Sequence, residues 1–85
     1  MSGELWRRPT QSELLITALR QRRLEGKALE LPEIMLLGIA QHGARFKELR
    51  SRGFEIENEL ERDVLGIVRS RYWLRYDPEQ DGHAE

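Results

Sequence analysis

The sequence predicts one small α+β domain, three helices followed by a two-stranded β-hairpin, and three observations predict it. Apolar residues recur at intervals of three and four through the first part of the chain, glycines stand where each helical pattern stops, and two alternating stretches follow. A chain of 85 residues supports one domain with a modest core. The predicted organisation is an N-terminal arm at residues 1–9, a folded domain at 10–76 and a disordered acidic tail at 77–85.

The first helix is expected over residues 10–23. Thr10 and Glu13 have capping-box spacing, Leu14, Leu15, Ala18 and Leu19 recur at helical intervals, and Gly26 ends the pattern. Residues 27–31 alternate briefly, enough for a short strand or an extended link. Pro32 suits the first turn of a second, brief helix with Ile34, Met35 and Leu37 on its apolar face, stopped by Gly38. From residue 39 a third helix is expected, with Ile39, His42, Phe46 and Leu49 inward and Gln41, Ala44, Arg45, Glu48 and Arg52 outward, closed by Gly53. Residues 54–59 alternate with Phe54, Ile56 and Asn58 on one side. Residues 68–75 alternate again, with Val68, Ser70, Tyr72 and Leu74 on one side and Arg69, Arg71, Trp73 and Arg75 on the other. Their connection, residues 60–67, reads as a long flexible loop containing Gly66.

The formal net charge of -1 conceals an uneven distribution. Between residues 14 and 52 eight basic side chains face four acidic ones, whereas residues 54–63 carry five acids and one arginine. Three arginines and no acids follow up to residue 76, and the tail carries four acids. Basic charge therefore belongs to the helices and the last strand, and acidic charge to one hairpin arm and the tail.

A short helix, a tight turn at Gly38 and a second helix with a polar, basic outer face describe a helix-turn-helix, and the hairpin makes it winged. The runs Leu31-Pro32-Glu33-Ile34, Gly38-Ile39-Ala40-Gln41, Ala44-Arg45-Phe46, Glu48-Leu49-Arg50 and Gly53, closing with Tyr72-Trp73-Leu74, resemble the small winged helix-turn-helix domains of phages, prophages and bacterial genomes. More distantly the chain is similar to the N-terminal DNA-binding domain of the arginine repressors. The resemblance spans residues 10–74 and implies that the second helix of the motif reads bases, with Gln41, Ala44 and Arg45 nearest the groove floor.

The residue chemistry agrees for two of the three: Gln pairs with adenine and Arg with guanine, while Ala44 at most meets a thymine methyl. Arg45 is otherwise a solvated charge paired with Glu48, and Glu48 repels phosphate unless it accepts from a cytosine amine or pairs with Arg45. The expected DNA-binding set is Gln41, Ala44, Arg45, Lys47, Glu48 and Arg52 on the helix, with Arg69 and Arg71 on the last strand. Arg50, and Arg20, Arg22 and Arg23 of the first helix, are further phosphate candidates. His42 reads as a packed core residue. Trp73 either stacks with its flanking arginines at a groove edge, anchors a protein partner, or packs on Leu5 or Trp6.

Enzymatic readings fail on inventory. There is no glycine-rich phosphate loop, no metal-ligand spacing and no triad, so neither cofactor nor metal is expected. With no cysteine, no signal-peptide pattern and no stretch of about 20 apolar residues, a cytoplasmic protein with no membrane contact is expected. The sequence thus points to double-stranded DNA and a phage- or prophage-type transcriptional regulator or accessory factor, monomeric or a homodimer. The rival reading is a protein-interaction module built on the acidic hairpin and Trp73.

Overall fold

The structure, a computed structural model, describes residues 8–82. Helix α1 (Gln11–Leu24) starts at the expected capping box: the Thr10 hydroxyl accepts from the Glu13 amide at 3.1 Å, and the Glu13 carboxylate accepts from the Thr10 amide at 2.8 Å. Such caps contribute about 1 kcal/mol. Its inward side, Ser12, Leu15, Ile16 and Leu19, is buried. The chain then forms β1 (Leu29–Glu30), α2 (Leu31–Leu36), α3 (His42–Ser51), β2 (Glu55–Arg62) and β3 (Val68–Tyr76).

The sheet has three strands, not two, in the order β1-β3-β2 and antiparallel throughout. Residues 27–31 were short enough to read as a link. What makes them a strand is Leu29, which is buried and sits opposite Tyr72 while Glu30 sits opposite Arg71. α1 and α3 lie against this sheet, and Leu15, Leu19, Leu29, Ile34, Phe46, Leu49, Phe54, Tyr72 and Leu74 form one core cluster. At its centre the Phe46 and Tyr72 rings stack with centroids 4.1 Å apart.

Several expectations need correcting. α3 begins at His42 and not at residue 39, because the backbone turns twice first: Gly38 has φ +76° and Gln41 φ +53°. Ile39 is still buried, but from the turn. α2 buries only Ile34; Met35 and Leu37, expected on its apolar face, are exposed, since six residues are too few to wrap two apolar stripes onto one small core. The hairpin strands reach residues 62 and 68, so the connection is a compact turn and not a long loop. Asp63 closes it, its carboxylate accepting from the amides of Leu65 and Ile67, both at 2.9 Å.

The largest correction concerns the acidic tail. Residues 77–82 are not disordered. They form consecutive turns against α1, with Asp77 fully buried. Arg20 donates to both Asp77 oxygens, at 2.5 and 3.1 Å, and to Glu79 at 2.8 Å, while Arg23 pairs with Asp81 at 2.8 Å. Few apolar side chains suggested nothing to bury, but a buried bidentate ion pair does the holding instead. Residues 83–85 and the N-terminal arm through residue 7 lie outside the described residues, as does any packing of Trp73 on Leu5 or Trp6.

Candidate nucleic-acid interface

α3 is held from one side only. Phe46 and Leu49 enter the core, half-buried His42 meets Phe46 edge-on at 6.5 Å, and Arg50 donates to the Ile56 carbonyl at 2.9 Å, tying the helix to β2. The opposite face therefore points to solvent: at 100° per residue it carries Ala44, Lys47, Glu48 and Ser51. Lys47 has no ion-pair partner among the described residues. Arg45 sits on the flank, not in the middle of the face. Its Nε is buried without a hydrogen bond, 3.8 Å from Glu48. Glu48 lies between Arg45 and Arg52, the latter at 4.0 Å, so its charge is shared rather than bare.

The N-terminal end of α3 is open. Gln41 precedes it as an exposed residue whose side chain makes no cap, so the first amides after it have no side-chain acceptor. Gln41 is also the one non-glycine described with positive φ, a conformation costing a residue with a Cβ about 1–2 kcal/mol. A helix starting at residue 39 would hold Gln41 within its first turn; the structure puts it at the entrance, beside Ala44, whose amide bonds to the Gln41 carbonyl at 2.9 Å. Gln41→Gly should therefore raise the thermal midpoint by a few degrees, about 1 kcal/mol, while weakening discrimination among DNA sequences. A thermal melt beside competition binding checks both halves, and a lowered midpoint would show that Gln41 makes a stabilising contact.

The remaining predicted cations divide. Arg20 and Arg23 are taken up by the C-terminal turns, Arg22 by Glu25 and Glu33, and Arg52, although on α3's end, also reaches Glu79 at 3.4 Å. On the hairpin three of the four β2 carboxylates reach one step diagonally along β3. Glu57 takes Arg75 at 2.7 Å, Glu59 accepts from the Trp73 indole at 2.9 Å, and Glu61 takes Arg71 at 2.6 Å. Arg75 also lies over the Trp73 ring at 4.9 Å. Directly opposite partners in the register are Glu57 and Trp73, Glu59 and Arg71, Glu61 and Arg69. The diagonal shift consequently leaves Arg69 without an ion pair, and Arg62, which sequence reasoning passed over as a lone cation in an acidic run, has none either.

A helix-turn-helix with its second helix outward, followed by a strand pair closed onto a third short strand, is now complete in outline. Over residues 10–72 the chain matches the model of a family described as the winged helix-turn-helix domain. The chain belongs to this family. No curated protein and no solved structure matches it. In winged helix-turn-helix terms α2 and α3 are the motif, and β2 and β3 the wing. Among the described residues no helix is long and apolar enough to cross a membrane, and no cluster of His, Asp or Glu is placed to hold a metal ion.

Proposed function

We propose that this winged helix-turn-helix domain binds duplex DNA, with the N-terminal half of α3 in the major groove, in a phage- or prophage-type regulator or DNA-binding accessory factor. Domains of the family typically bind DNA and carry no catalytic machinery. The observation that carries the reading is the outward face of α3. Gln41, Ala44 and Lys47 stand exposed there without side-chain partners, at an uncapped helix end suited to a phosphate. Arg45, from the flank, and Gln41 are the base-reading candidates, Lys47 a phosphate contact, and Glu48 orients Arg45 and Arg52. Arg69 and Arg71 carry less weight: Arg71 is held by Glu61, and Arg69 lines a groove beside α2.

The rival protein-interaction reading needed a free acidic arm and a free tryptophan. Glu57 and Glu61 are paired with arginines within the hairpin, and Glu59 accepts from the Trp73 indole, so neither the arm nor the tryptophan is free. The DNA reading is tested by fluorescence-anisotropy titration of a labelled random-sequence duplex at low salt. Lys47→Ala should weaken binding to all sequences alike. Arg45→Ala should relax discrimination at one G·C position by about 1–3 kcal/mol. Binding indifferent to both substitutions would sink the assignment of α3.

A further inference from the structure

The C-terminal turns carry more negative charge than holding them in place requires. Asp77 is buried and takes Arg20 in a bidentate pair, while Asp81 takes Arg23 at 2.8 Å and accepts from the Asp77 amide at 3.0 Å. Those contacts fix the segment on α1. Glu79 adds little to them. Its side chain is 56% exposed, and the Arg20 it reaches already holds both Asp77 oxygens. An ion pair so open to solvent contributes little to stability.

The other reach of Glu79 is to the candidate interface. Its amide donates to the Asp77 carboxylate at 2.9 Å, and Pro78 lies against the turn that closes α3, where a Cβ at Gly53 would meet the proline ring at 3.4 Å. The Glu79 carboxylate consequently stands 3.4 Å from Arg52. Arg52 lies one turn beyond Glu48 on α3, 4.0 Å from it, so two carboxylates flank the guanidinium at this end of the helix. A carboxylate and a phosphate offer an arginine the same kind of anionic oxygens. The segment that brings Glu79 here lies beyond residue 72, where the family match ends.

We infer that Glu79 is an intramolecular stand-in for a DNA phosphate, which occupies Arg52 and so lowers the affinity of the domain for every duplex alike. DNA whose backbone contacts Arg52 has to displace Glu79, whose charge acts on any phosphate brought within a Debye length, about 10 Å at 0.1 M salt. A phosphate contact carries no sequence information, so Glu79 sets affinity and leaves discrimination to Gln41 and Arg45. The inference rests on the DNA reading above and gives Arg52 its place in it.

Anisotropy titration of the whole chain with random-sequence duplex tests it, on the wild type, Glu79→Gln, Arg52→Ala, their double variant and Lys47→Ala. Glu79→Gln should keep the native circular dichroism and melt, because Asp77 and Asp81 still hold the segment. It should bind duplex more tightly, with a salt slope steeper by about 1, which is about a threefold larger loss of affinity between about 50 and 200 mM salt. In the Arg52→Ala background the same substitution should gain much less, since the effect runs through that guanidinium. An equal gain in both backgrounds overturns the inference, as net charge alone would then explain it. A Glu79→Gln chain that loses its native melt also overturns it, by showing the carboxylate to be structural. Binding that responds to Lys47→Ala but not to Glu79→Gln overturns the role of Glu79 and leaves the DNA reading standing. No binding by any of the five chains overturns both.

Discussion

Phe46→Ala should cost about 3–5 kcal/mol and leave much of the domain unfolded at room temperature. Phe46 is the largest fully buried side chain, stacked on Tyr72 at 4.1 Å with the Arg50 guanidinium 5.7 Å from its ring centroid. It joins α3 to β3, so its removal opens a cavity between the helix that bears the candidate interface and the sheet supporting it. Small domains have about 0.05–0.15 kcal/mol of stability per residue, so a loss of this size consumes a large share of the total. Urea denaturation followed by circular dichroism measures it. Phe46→Leu, which fills most of the volume but loses the stack, should cost distinctly less. Equal costs for the two variants would mean that the stack, and not the volume, holds the helix.

Asp77→Ala should be nearly as damaging, at about 3 kcal/mol, although the residue lies outside the family match. The substitution strips Arg20 of its bidentate partner in a part-buried site and removes the acceptor for the Glu79 and Gln80 amides. Asp77→Asn keeps an acceptor for those amides and should cost less. The pair also sets the acid limb of stability. Burial pushes the Asp77 carboxyl up, but the Arg20 hydrogen bond, backed by the Glu79 and Gln80 amides, outweighs it and holds the group below the usual carboxylate range. Asp81 is likewise lowered, first by Arg23. Groups with a depressed folded value contribute fully above their unfolded value, near 3.9, and lose that contribution as pH falls through the folded one. Thermal midpoints should therefore drop below about pH 4, and Asp77→Asn should flatten that decline. An acid limb identical in wild type and variant would show that other carboxylates govern it.

Periodicity and caps made most of the fold legible. Thr10 with Glu13 marked the first helix, Phe46 and Leu49 marked the inward face of the third, and Tyr72 with Leu74 marked the buried side of the last strand. What stayed illegible depends on contacts between distant residues. Leu29 becomes a strand residue only because Tyr72 lies beside it, 43 positions later. Asp77 is held by Arg20, 57 positions earlier, and an acidic segment with few apolar residues gives no local sign of that partner. In the candidate interface, the outward placing of Ala44 and Glu48 followed from the helical repeat. Gln41 falls at the helix entrance because its own left-handed conformation delays the start of the helix, whereas Arg45 falls on the flank because the helical repeat sets it close to buried Leu49, four residues on. The free state of Arg69 and the paired state of Arg71 depend on strand register, which alternation alone does not define.

The central claim, that the outward face of α3 engages the phosphate-lined major groove, is tested most directly by repeating the duplex titration across a range of salt concentrations. Two or three phosphate contacts predict that log K falls with log salt at a slope of about -2 to -3, and that Lys47→Ala makes the slope shallower by about 1. A slope of that size left unchanged by Lys47→Ala would place the contacts elsewhere on the domain, and an affinity insensitive to salt would contradict DNA as the ligand.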